Sequence, residues 1–320
     1  MLAFLISFVL VLIFQPIYIN VLKKRGVRGQ PIREDGPKDH LAKAGTPTMG
    51  GLVVVAAVTI TTFLLADITN KFVLCTLFIM ISHAAIGFVD DWRKIKYQNS
   101  KGLSGPYKLF WQSLVVLLAS YFLYQENYST LLTFPFFKNL VLDLGILFIP
   151  FSVLVVVGSS NAVNLTDGLD GLAIGPIMTV AATYAIFAYV TGHKNIADYL
   201  QLTHISGIGG LGFLWYNTFP AQVFMGDLGS LALGATLGFC ALLVKQELLL
   251  VIAGGIFVIE ALSVLIQRYY YKLTKKRVFR MAPIHHHYEL KGWAEPKIIV
   301  RFWIISIVLA LISITTLKLR

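Results

Sequence analysis

The sequence predicts an all-α integral membrane protein with about ten transmembrane helices. Of its 320 residues, 57% are hydrophobic and only 13% are charged, and the mean hydropathy is +0.73. That balance is too apolar for a water-soluble domain. The apolar residues also fall in stretches of about 20, the length that a helix needs to cross a bilayer. We therefore expect a single polytopic transmembrane domain over residues 1–320.

Ten apolar stretches predict the individual spans. In chain order they are Leu2–Leu22, Gly51–Asp67, Phe72–Val89, Leu109–Gln125, Leu140–Gly158, Leu172–Val190, Ile196–Trp215, Leu228–Val244, Leu248–Tyr270 and Ile298–Leu317. The first stretch has no cleavage site typical of a signal peptide, so we expect this helix to be retained. Between the fourth and fifth spans, the Tyr, Thr and Phe residues of Glu126–Asn139 predict a small hairpin.

The basic residues predict the orientation, because they accumulate on the cytoplasmic side of membrane proteins. Twenty of the 27 lysines and arginines fall in three loops, at 23–43, 93–108 and 268–297. We expect these loops in the cytoplasm and both termini outside. The net charge of +11 lies beside the spans, which favours membrane lipids and phosphorylated substrates as partners and argues against nucleic acid.

Five carboxylates lie at the predicted inner ends of spans: Asp90, Asp91, Asp167, Asp170 and Asp227. If the bundle brings these ends together, they form one acidic pocket at the inner membrane face. Adjacent carboxylates at 90 and 91 cannot share one helix face, so we expect one to serve the chemistry while the other pairs with Lys94 or Arg93. Paired acids also suit Mg²⁺, which prefers oxygen ligands. The alternative is an interfacial helix cap with salt bridges.

A polar segment, Asn161–Gly171, lies between two apolar stretches. Four side chains recur in it at every third position: Asn161, Asn164, Asp167 and Asp170. A helical or 3₁₀ turn would bring neighbouring members close together. Gly168 and Gly171 predict a break in the helix that leaves backbone N–H groups available to an anion or a ribose. The alternative is a plain polar turn between two spans.

Two further stretches carry candidate binding residues. Asp227, after Gly226 at the start of a span, is suited either to bind a metal or to cap the helix. Phe224 is available to stack on a base, although a lone interfacial aromatic is more typical of a membrane anchor. Lys43, Thr48 and the glycines near them could hold phosphate or could form only a basic juxtamembrane loop.

Three adjacent histidines, His285, His286 and His287, lie in the last predicted inner loop. Consecutive side chains rarely converge on one metal ion, and the sequence has no second Cys/His cluster to complete a tetrahedral site. We therefore expect these histidines to contact phosphate or the leaving group. Glu260 lies inside the ninth predicted span, where a carboxylate marks either function or pairing with another helix.

Together, these motifs resemble the polyprenyl-phosphate N-acetylhexosamine-1-phosphate transferase superfamily. The Asp90-Asp91 pair, the Asn161–Gly171 segment and the Gly226-Asp227 turn carry this resemblance. The stretches 44–51 and 283–287 are similar to those of one family within it, the bacterial phospho-N-acetylmuramoyl-pentapeptide transferases (the MraY family). The resemblance covers nearly the whole chain in order and spacing.

The resemblance implies a fold and a reaction. It implies ten helices, both termini outside, a ninth helix that breaks and bends near its inner end, and a homodimer in the bacterial cytoplasmic membrane. It also implies the transfer of phospho-N-acetylmuramoyl-pentapeptide from UDP-MurNAc-pentapeptide to undecaprenyl phosphate, which gives lipid I and UMP. Mg²⁺ would be the cofactor, and the reaction would be the first membrane step of peptidoglycan synthesis.

Residue roles are implied position by position. Asp227 would bind Mg²⁺, with Asp90 as a second candidate ligand, and Asp90 would deprotonate or orient the lipid phosphate. Asp91 and Lys94 would lie beside it. The residues implied around the uridine are Lys43, Asn217, Phe224, Gly168 and Asp170. Those implied in the neighbouring pocket are Thr48, Asn164, Asp167 and Gly226, closed by Gln267, His285 and His286, with Asn161 and His287 as further candidates for substrate binding.

Two other functions fit parts of the sequence. A UDP-GlcNAc:polyprenyl-phosphate GlcNAc-1-phosphate transferase shares the aspartate motifs, but the histidine triplet favours the muramyl-peptide substrate. A nucleotide-sugar transporter would need polar groups along a path through the membrane, whereas the acids and amides of this chain cluster at one predicted face. The sequence also leaves open whether Asp90 acts as a base in a direct displacement or Asp91 forms a phospho-enzyme.

Overall fold

The structure, a computed structural model, describes residues 2–24, 29, 43, 45–190 and 210–319. Its helices are α1 (Leu2–Lys24), α2 (Gly51–Leu65), α3 (Lys71–Tyr97), α4 (Gly105–Gln125), α5 (Phe148–Thr166), α6 (Ile174–Val190), α7 (Gly226–Leu243), α8 (Leu249–Ala253), α9 (Gly255–Thr274), α10 (Ile284–Glu289) and α11 (Glu295–Thr315). Residues 210–217 are also helical. Two short strands are β1 (Leu131–Thr133) and β2 (Val141–Asp143).

The helices confirm the predicted class, an all-α membrane protein. Five helical segments of the described ranges are long and apolar enough to cross a membrane: α1, α3, Gly145–Thr166, α7 and α11. Helices α2 and α6 are apolar but shorter. The seventh predicted span, Ile196–Trp215, lies mostly outside the described residues.

Two predicted spans have different bounds in the structure. Helix α3 continues eight residues beyond the predicted end at Val89, so Asp90 and Asp91 lie on the helix itself. The fifth span was predicted to begin at Leu140, but its first residues form strand β2, antiparallel to β1 with Leu132 opposite Leu142. A hairpin is therefore present, but only its first strand lies in the predicted segment Glu126–Asn139. The α-helix that follows starts only at Phe148.

The ninth predicted span is broken, but not where the resemblance implied. Helix α9 runs without interruption to Thr274, so the expected break near that end is wrong. The break lies instead at Gly254, between α8 and α9. A Cβ at Gly254 would press on the carbonyl oxygen of Leu250, and one at Gly255 would overlap Leu309 of α11. Close packing therefore favours small residues at this point of the chain.

Helix α7 lies at the centre of the bundle. Every residue from Leu228 to Leu243 is buried, and the helix contacts α2, α3, α5 and α6. Two of its glycines, Gly234 and Gly238, leave no room for a Cβ against α5, and Ser159 Oγ of α5 donates to the carbonyl oxygen of Gly234 at 2.8 Å. Small residues let helix backbones approach closely in membrane proteins, which explains how α7 can be surrounded on all sides.

A proline in α1 explains one contact between distant parts of the chain. Pro16 has no N–H, so the carbonyl of Leu12 loses its partner within the helix. The hydroxyl of Tyr216 donates to that carbonyl oxygen at 2.9 Å. This contact joins α1 to the helical residues 210–217.

Candidate active site

Three carboxylates converge where α7 begins and α3 nears its end. Asp90, Asp91 and Asp227 each offer an oxygen, and these oxygens lie within 4.8 Å of one another. Asp90 and Asp91 are buried and Asp227 is half-buried. Both members of the adjacent pair therefore lie in the cluster, and Lys94, one of the two predicted partners, lies near each of them. The first turn of α7 packs closely on α3, and the backbone N–H of Leu228 donates to Asp91 Oδ2 at 3.1 Å.

Two lysines neutralise this carboxylate cluster. Lys94 Nζ lies 2.6 Å from Asp90 Oδ2, 3.2 Å from Asp227 Oδ1 and 3.6 Å from Asp91 Oδ1. Lys108, in the first turn of α4, lies 3.1 Å from Asp90 Oδ1 and 2.6 Å from Asp227 Oδ2. Two cations thus balance part of the charge of three buried or half-buried acids, which would otherwise be costly to ionise.

The turn before α7 holds Asp227 in place. Gly226 has φ +76°, a left-handed conformation suited to glycine, and a Cβ there would overlap Asp91 Oδ2 and press on Thr48 Oγ1. From α5, the amide of Asn164 donates to Asp227 Oδ1 at 3.0 Å and to Ser230 Oγ at 2.8 Å. Asn164 and Thr48, both predicted site residues, therefore lie beside the cluster.

Asn161 is positioned one turn away from the cluster. Its amide donates to Gln112 Oε1 of α4 at 2.8 Å and to the carbonyl oxygen of Val157 at the same distance. This arrangement fixes α4 against α5 in the turn that precedes Asn164. The structure does not bring Asn161 into contact with the three aspartates.

A second charged group forms around Asp170. Lys43 Nζ lies 2.8 Å from Asp170 Oδ1 and 2.6 Å from Glu295 Oε1 at the start of α11. Glu295 also accepts the backbone N–H of Asp170 at 2.8 Å. Asn217 Oδ1 accepts the N–H of Gly171 at 3.0 Å. Three residues predicted around the uridine, Lys43, Asp170 and Asn217, are therefore neighbours.

Phe224 lies on the segment that joins these two groups. Its backbone N–H donates to the carbonyl oxygen of Pro47 at 2.8 Å, and its carbonyl accepts the N–H of Gly50 at 2.8 Å. The ring is half-buried. The backbone bonds fix the chain on both sides of the aromatic side chain and leave part of the ring accessible.

The polar segment breaks where the glycines predicted. Helix α5 ends at Thr166, and Gly171 has φ +77°. Asp167 lies in the break. Its burial, together with the carboxylates of Asp227, Asp91 and Asp170, raises the pKa of Asp167 to about 8. This shift favours the neutral carboxyl group, which can donate a hydrogen bond to a phosphate or sugar oxygen.

The three histidines have three different environments. His285 is fully buried, and its Nδ1 lies 3.1 Å from Glu260 Oε1. His286 Nδ1 lies 2.6 Å from Glu289 Oε2. His287 Nδ1 accepts the backbone N–H of Arg280 at 3.0 Å, and burial, Lys291 and Arg280 lower the pKa of His287. His285 reaches the polar segment, where a Cβ at Gly168 would overlap its Nε2.

Gln267 binds a loop of its own chain. Its Oε1 accepts the N–H groups of Val278 at 3.1 Å and Phe279 at 2.9 Å, and its Nε2 donates to the carbonyl oxygen of Phe279 at 3.3 Å. This side chain therefore holds the loop that leads from α9 to the histidine helix α10.

The carboxylate cluster has the donor set that Mg²⁺ prefers. Asp90, Asp91 and Asp227 offer hard, anionic oxygens close enough together to share one ion. Mg²⁺ in proteins uses one or two carboxylates and completes its shell with water and substrate phosphate. The residues present therefore fit the predicted cofactor.

Sequence reasoning missed two residues of the site, Lys108 and Glu295. Both belong to first turns of helices that begin with a proline, at Gly105-Pro106 and Glu295-Pro296. Lys108 was counted only as one basic residue of an inner loop, and Glu295 carried no motif. The signal available for each of them was an ionic group just before a predicted span, at Leu109 and at Ile298.

Comparisons with known proteins identify the family. A family model described as glycosyl transferase family 4 matches residues 72–245, and one described as phospho-N-acetylmuramoyl-pentapeptide-transferase signature 1 matches residues 43–55. Relatives named phospho-N-acetylmuramoyl-pentapeptide-transferase occur in Pelobacter propionicus (56% identical, covering 99% of this chain and 91% of the relative), Citrifermentans bemidjiense (54%, 99% and 92%) and Geobacter sp. strain M21 (53%, 99% and 92%). The chain belongs to the phospho-N-acetylmuramoyl-pentapeptide transferase family.

Proposed function

We propose that this protein transfers phospho-N-acetylmuramoyl-pentapeptide from UDP-MurNAc-pentapeptide to undecaprenyl phosphate. The products are lipid I and UMP, and the step is the first membrane reaction of peptidoglycan synthesis. The observation that carries the proposal is the convergence of Asp90, Asp91 and Asp227 with Lys94 and Lys108. The relatives, more than half identical over nearly the whole chain, support the same reaction.

The chemistry needs an anionic nucleophile to attack an anionic diphosphate. An oxygen of the lipid phosphate forms a new bond to the phosphorus next to the sugar, and the bond from that phosphorus to the UMP oxygen breaks. UMP leaves with the electron pair. Such transfers depend mainly on aligning the groups and neutralising their charge. Lys94 and Lys108 supply fixed positive charge, and Asp90 deprotonates or orients the attacking phosphate.

Asp227 is the proposed ligand of Mg²⁺, with Asp90 as the second candidate. When bound, the ion supplies positive charge to the diphosphate oxygens and to the leaving UMP. Asn164, which donates to Asp227 Oδ1, orients that carboxylate. Asp91, fully buried and bonded to the N–H of Leu228, fixes the contact between α3 and α7 that brings the other two carboxylates together.

The group around Asp170 is the proposed uridine subsite. Lys43, Asn217 and Gly168 belong to it, and Phe224 stacks on the uracil. Lys43 already binds Asp170 and Glu295, so an incoming nucleotide exchanges one set of ionic contacts for another. Asp167 lies along the chain between Asn164, beside the carboxylate cluster, and Asp170 of this subsite, and His285 packs against the neighbouring Gly168; this region is assigned to the sugar-phosphate.

The site faces the cytoplasm in this proposal, and the chain crosses the bacterial cytoplasmic membrane ten times with both termini outside. The distribution of lysines and arginines supports this orientation, as does the chemistry, because a soluble nucleotide sugar must meet a lipid phosphate at the membrane surface. The family resemblance supports a homodimer.

A direct comparison of two nucleotide sugars tests the substrate. The purified protein is given undecaprenyl phosphate with either UDP-MurNAc-pentapeptide or UDP-GlcNAc, and UMP release is followed. We expect rapid release only with the muramyl-peptide substrate. Faster turnover of UDP-GlcNAc would assign the protein to the GlcNAc-1-phosphate transferases, and uptake of UDP-sugar into vesicles without any product would favour a transporter.

Omitting the lipid acceptor separates the two chemical routes. In a direct displacement, no UMP forms until undecaprenyl phosphate is added. A burst of UMP equal to the amount of enzyme, without acceptor, would indicate a phospho-enzyme intermediate.

A further inference from the structure

Gln112 lies in a polar layer of the bundle, one helical turn beyond the carboxylate cluster. We define this polar layer as Gln112 of α4 with Ser160 and Asn161 of α5. Gln112 follows Lys108 by four residues, so the two side chains lie on the same face of α4. Ser160 and Asn161 lie about one turn before Asn164 on α5. The side chain of Gln112 is fully buried, so its hydrogen bonds must come from the protein.

The hydrogen bonds of the polar layer have fixed directions, because a backbone carbonyl lies at each end. The amide nitrogen of Asn161 donates to the carbonyl oxygen of Val157 and to Gln112 Oε1, both at 2.8 Å. The hydroxyl of Ser160 donates to the carbonyl oxygen of Leu231 in α7 at 2.9 Å. Ser160 Oγ is then left to accept from Gln112 Nε2 at 3.4 Å. Both ends of the Gln112 amide therefore have one allowed orientation.

The polar layer fixes the position of α4 beside the site. The buried residues of α4 are Gln112, Val116, Ala119, Ser120 and Leu123. Of these, Gln112 alone hydrogen-bonds another helix within the described ranges. Apolar contacts have no direction, whereas a hydrogen bond weakens steeply when its angle changes. Gln112 therefore determines how α4 is rotated and how far it is shifted against α5.

Lys108 depends on this position, because it lies one turn away on the same helix. Its Nζ lies 2.6 Å from Asp227 Oδ2 and 3.1 Å from Asp90 Oδ1. A rotation or shift of α4 would move Nζ away from at least one of these carboxylates. Misplacement by about 1 Å is enough to cost a large part of the rate in a reaction that depends on alignment.

We propose that Gln112 is a positioning residue that holds the first turn of α4 so that Lys108 Nζ lies between Asp90 and Asp227. Gln112 acts through Lys108 and makes no contact with the reacting atoms. The inference rests on the proposed function, which gives Lys108 the role of neutralising phosphate charge. It also gives a reason for a buried amide on the one face of α4 that is otherwise apolar beyond Lys108.

The experiment is a double-mutant cycle on kcat and KM for UMP release. Gln112→Met keeps the length of the side chain and its tendency to form helix, but it removes the amide. We expect Gln112→Met to lower kcat about 10-fold with little change in KM. In the Lys108→Met background, Gln112→Met should change kcat by less than about 2-fold, because its target is already absent. A general disturbance of the fold would lower kcat by the same factor in both backgrounds.

Ser120→Ala is the matched control for a change in the buried face of α4. Ser120 is buried two turns beyond Gln112, and among the described residues its hydroxyl bonds only the carbonyl of Leu117 in its own helix. This variant should retain the wild-type kcat. If Ser120→Ala lost as much activity as Gln112→Met, any change of the buried face would have the same effect, and the proposal would be overturned.

The remaining outcomes separate the positioning role from the proposed function. A wild-type kcat in Gln112→Met, or losses that multiply in the double variant, would overturn the positioning role and leave the proposed function intact. Absence of UMP release by the wild-type protein would overturn both. Should Gln112→Met not fold, Gln112→Asn takes its place in the cycle. It keeps the amide but is one methylene shorter, and its smaller loss should likewise disappear in the Lys108→Met background; a loss that persists there would overturn the proposal.

Discussion

Asp91 shows how a single residue connects the fold to the chemistry. It lies next to Asp90 in sequence, yet it is directed to the N-terminus of α7, where the N–H of Leu228 binds its Oδ2. Free N–H groups at a helix start attract anions. The fold therefore uses one carboxylate to attach α7 to α3, and this attachment places Asp227 beside Asp90.

Lys108 is expected to be as important as Lys94, although no motif indicated it. It bridges Asp90 and Asp227, so Lys108→Met removes a fixed cation from the place where phosphate charge develops. We expect kcat to fall about 100-fold and the folded protein to persist, as measured by UMP release and thermal unfolding. Lys71→Met is the control, because the Lys71–Glu126 pair is exposed. If Lys108→Met and Lys71→Met released UMP with the same kcat, the proposed role of Lys108 would be wrong.

The sequence predicted some site residues and missed others, and the difference has a physical reason. Asp90, Asp227 and Asn164 were predicted because a carboxylate or an amide at the end of an apolar stretch is informative by itself. Lys108 pairs with Asp227 across 119 positions of the chain. A lysine in a basic loop looks the same whether it faces water or a carboxylate, so only the folded structure identifies this contact.

The loop held by His287 is expected to loosen in acid. The pKa of His287 is lowered from 6.5, and its neutral Nδ1 accepts the N–H of Arg280. A depressed histidine pKa stabilises the folded loop above pH 6.5, and this contribution is lost as the pH falls through the folded-state pKa. We therefore expect proteolysis at 275–283 to accelerate at acidic pH. In His287→Asn, the Oδ1 atom can accept the same N–H but does not titrate, so proteolysis of this variant should not accelerate at acidic pH. If it accelerates as much as in the wild type, His287 is not the cause.

At the scale of elements, the packing of α7 against α3 sets the geometry of the site. A Cβ at Gly87 of α3 would overlap the backbone carbonyl of Asp227. Gly87→Ala must therefore push the two helices apart, which we expect to destabilise the protein by about 1–3 kcal/mol and to lower kcat. Thermal unfolding and UMP release measure the two effects.

Gly158→Ala provides the matched helical control. Gly158 also lies inside a helix, but nothing lies within 4 Å of a Cβ built there. The free energy of unfolding of Gly158→Ala should lie within about 1 kcal/mol of the wild-type value or slightly above it, because alanine favours helix. A similar loss in both variants would mean that the close contact at Gly87 has no special role.

Element bounds were predicted less well than element identities. Hydropathy marks the part of a helix that faces lipid, whereas α3 keeps its backbone hydrogen bonds for eight residues beyond the apolar stretch. Leu140–Leu144 is apolar apart from Asp143 and runs on into the next apolar stretch, so its pairing as strand β2 with β1 was not visible in composition. The break at Gly254 adjoins the close contact between Gly255 and Leu309 of α11, and a sequence does not show such a contact.

At the scale of the whole molecule, the proposed orientation can be tested on intact cells. Phe137, in the hairpin loop, and Lys276, in the loop after α9, are both exposed, and the native cysteines are buried. A membrane-impermeant maleimide should label Phe137→Cys from outside. Lys276→Cys should react only after the cells are permeabilised. The reverse pattern would contradict a cytoplasmic active site.

The whole molecule brings ends of α3, α5 and α7 and the start of α4 to one place, and the central claim is that this place binds Mg²⁺ for phosphoryl transfer. The most direct test is a magnesium titration of UMP release by the wild type and by Asp227→Asn, with Glu126→Gln as an exposed carboxylate control. We predict a loss of at least about 100-fold in kcat for Asp227→Asn, with no response of the residual rate to Mg²⁺. Normal turnover with normal magnesium dependence in Asp227→Asn would contradict the account.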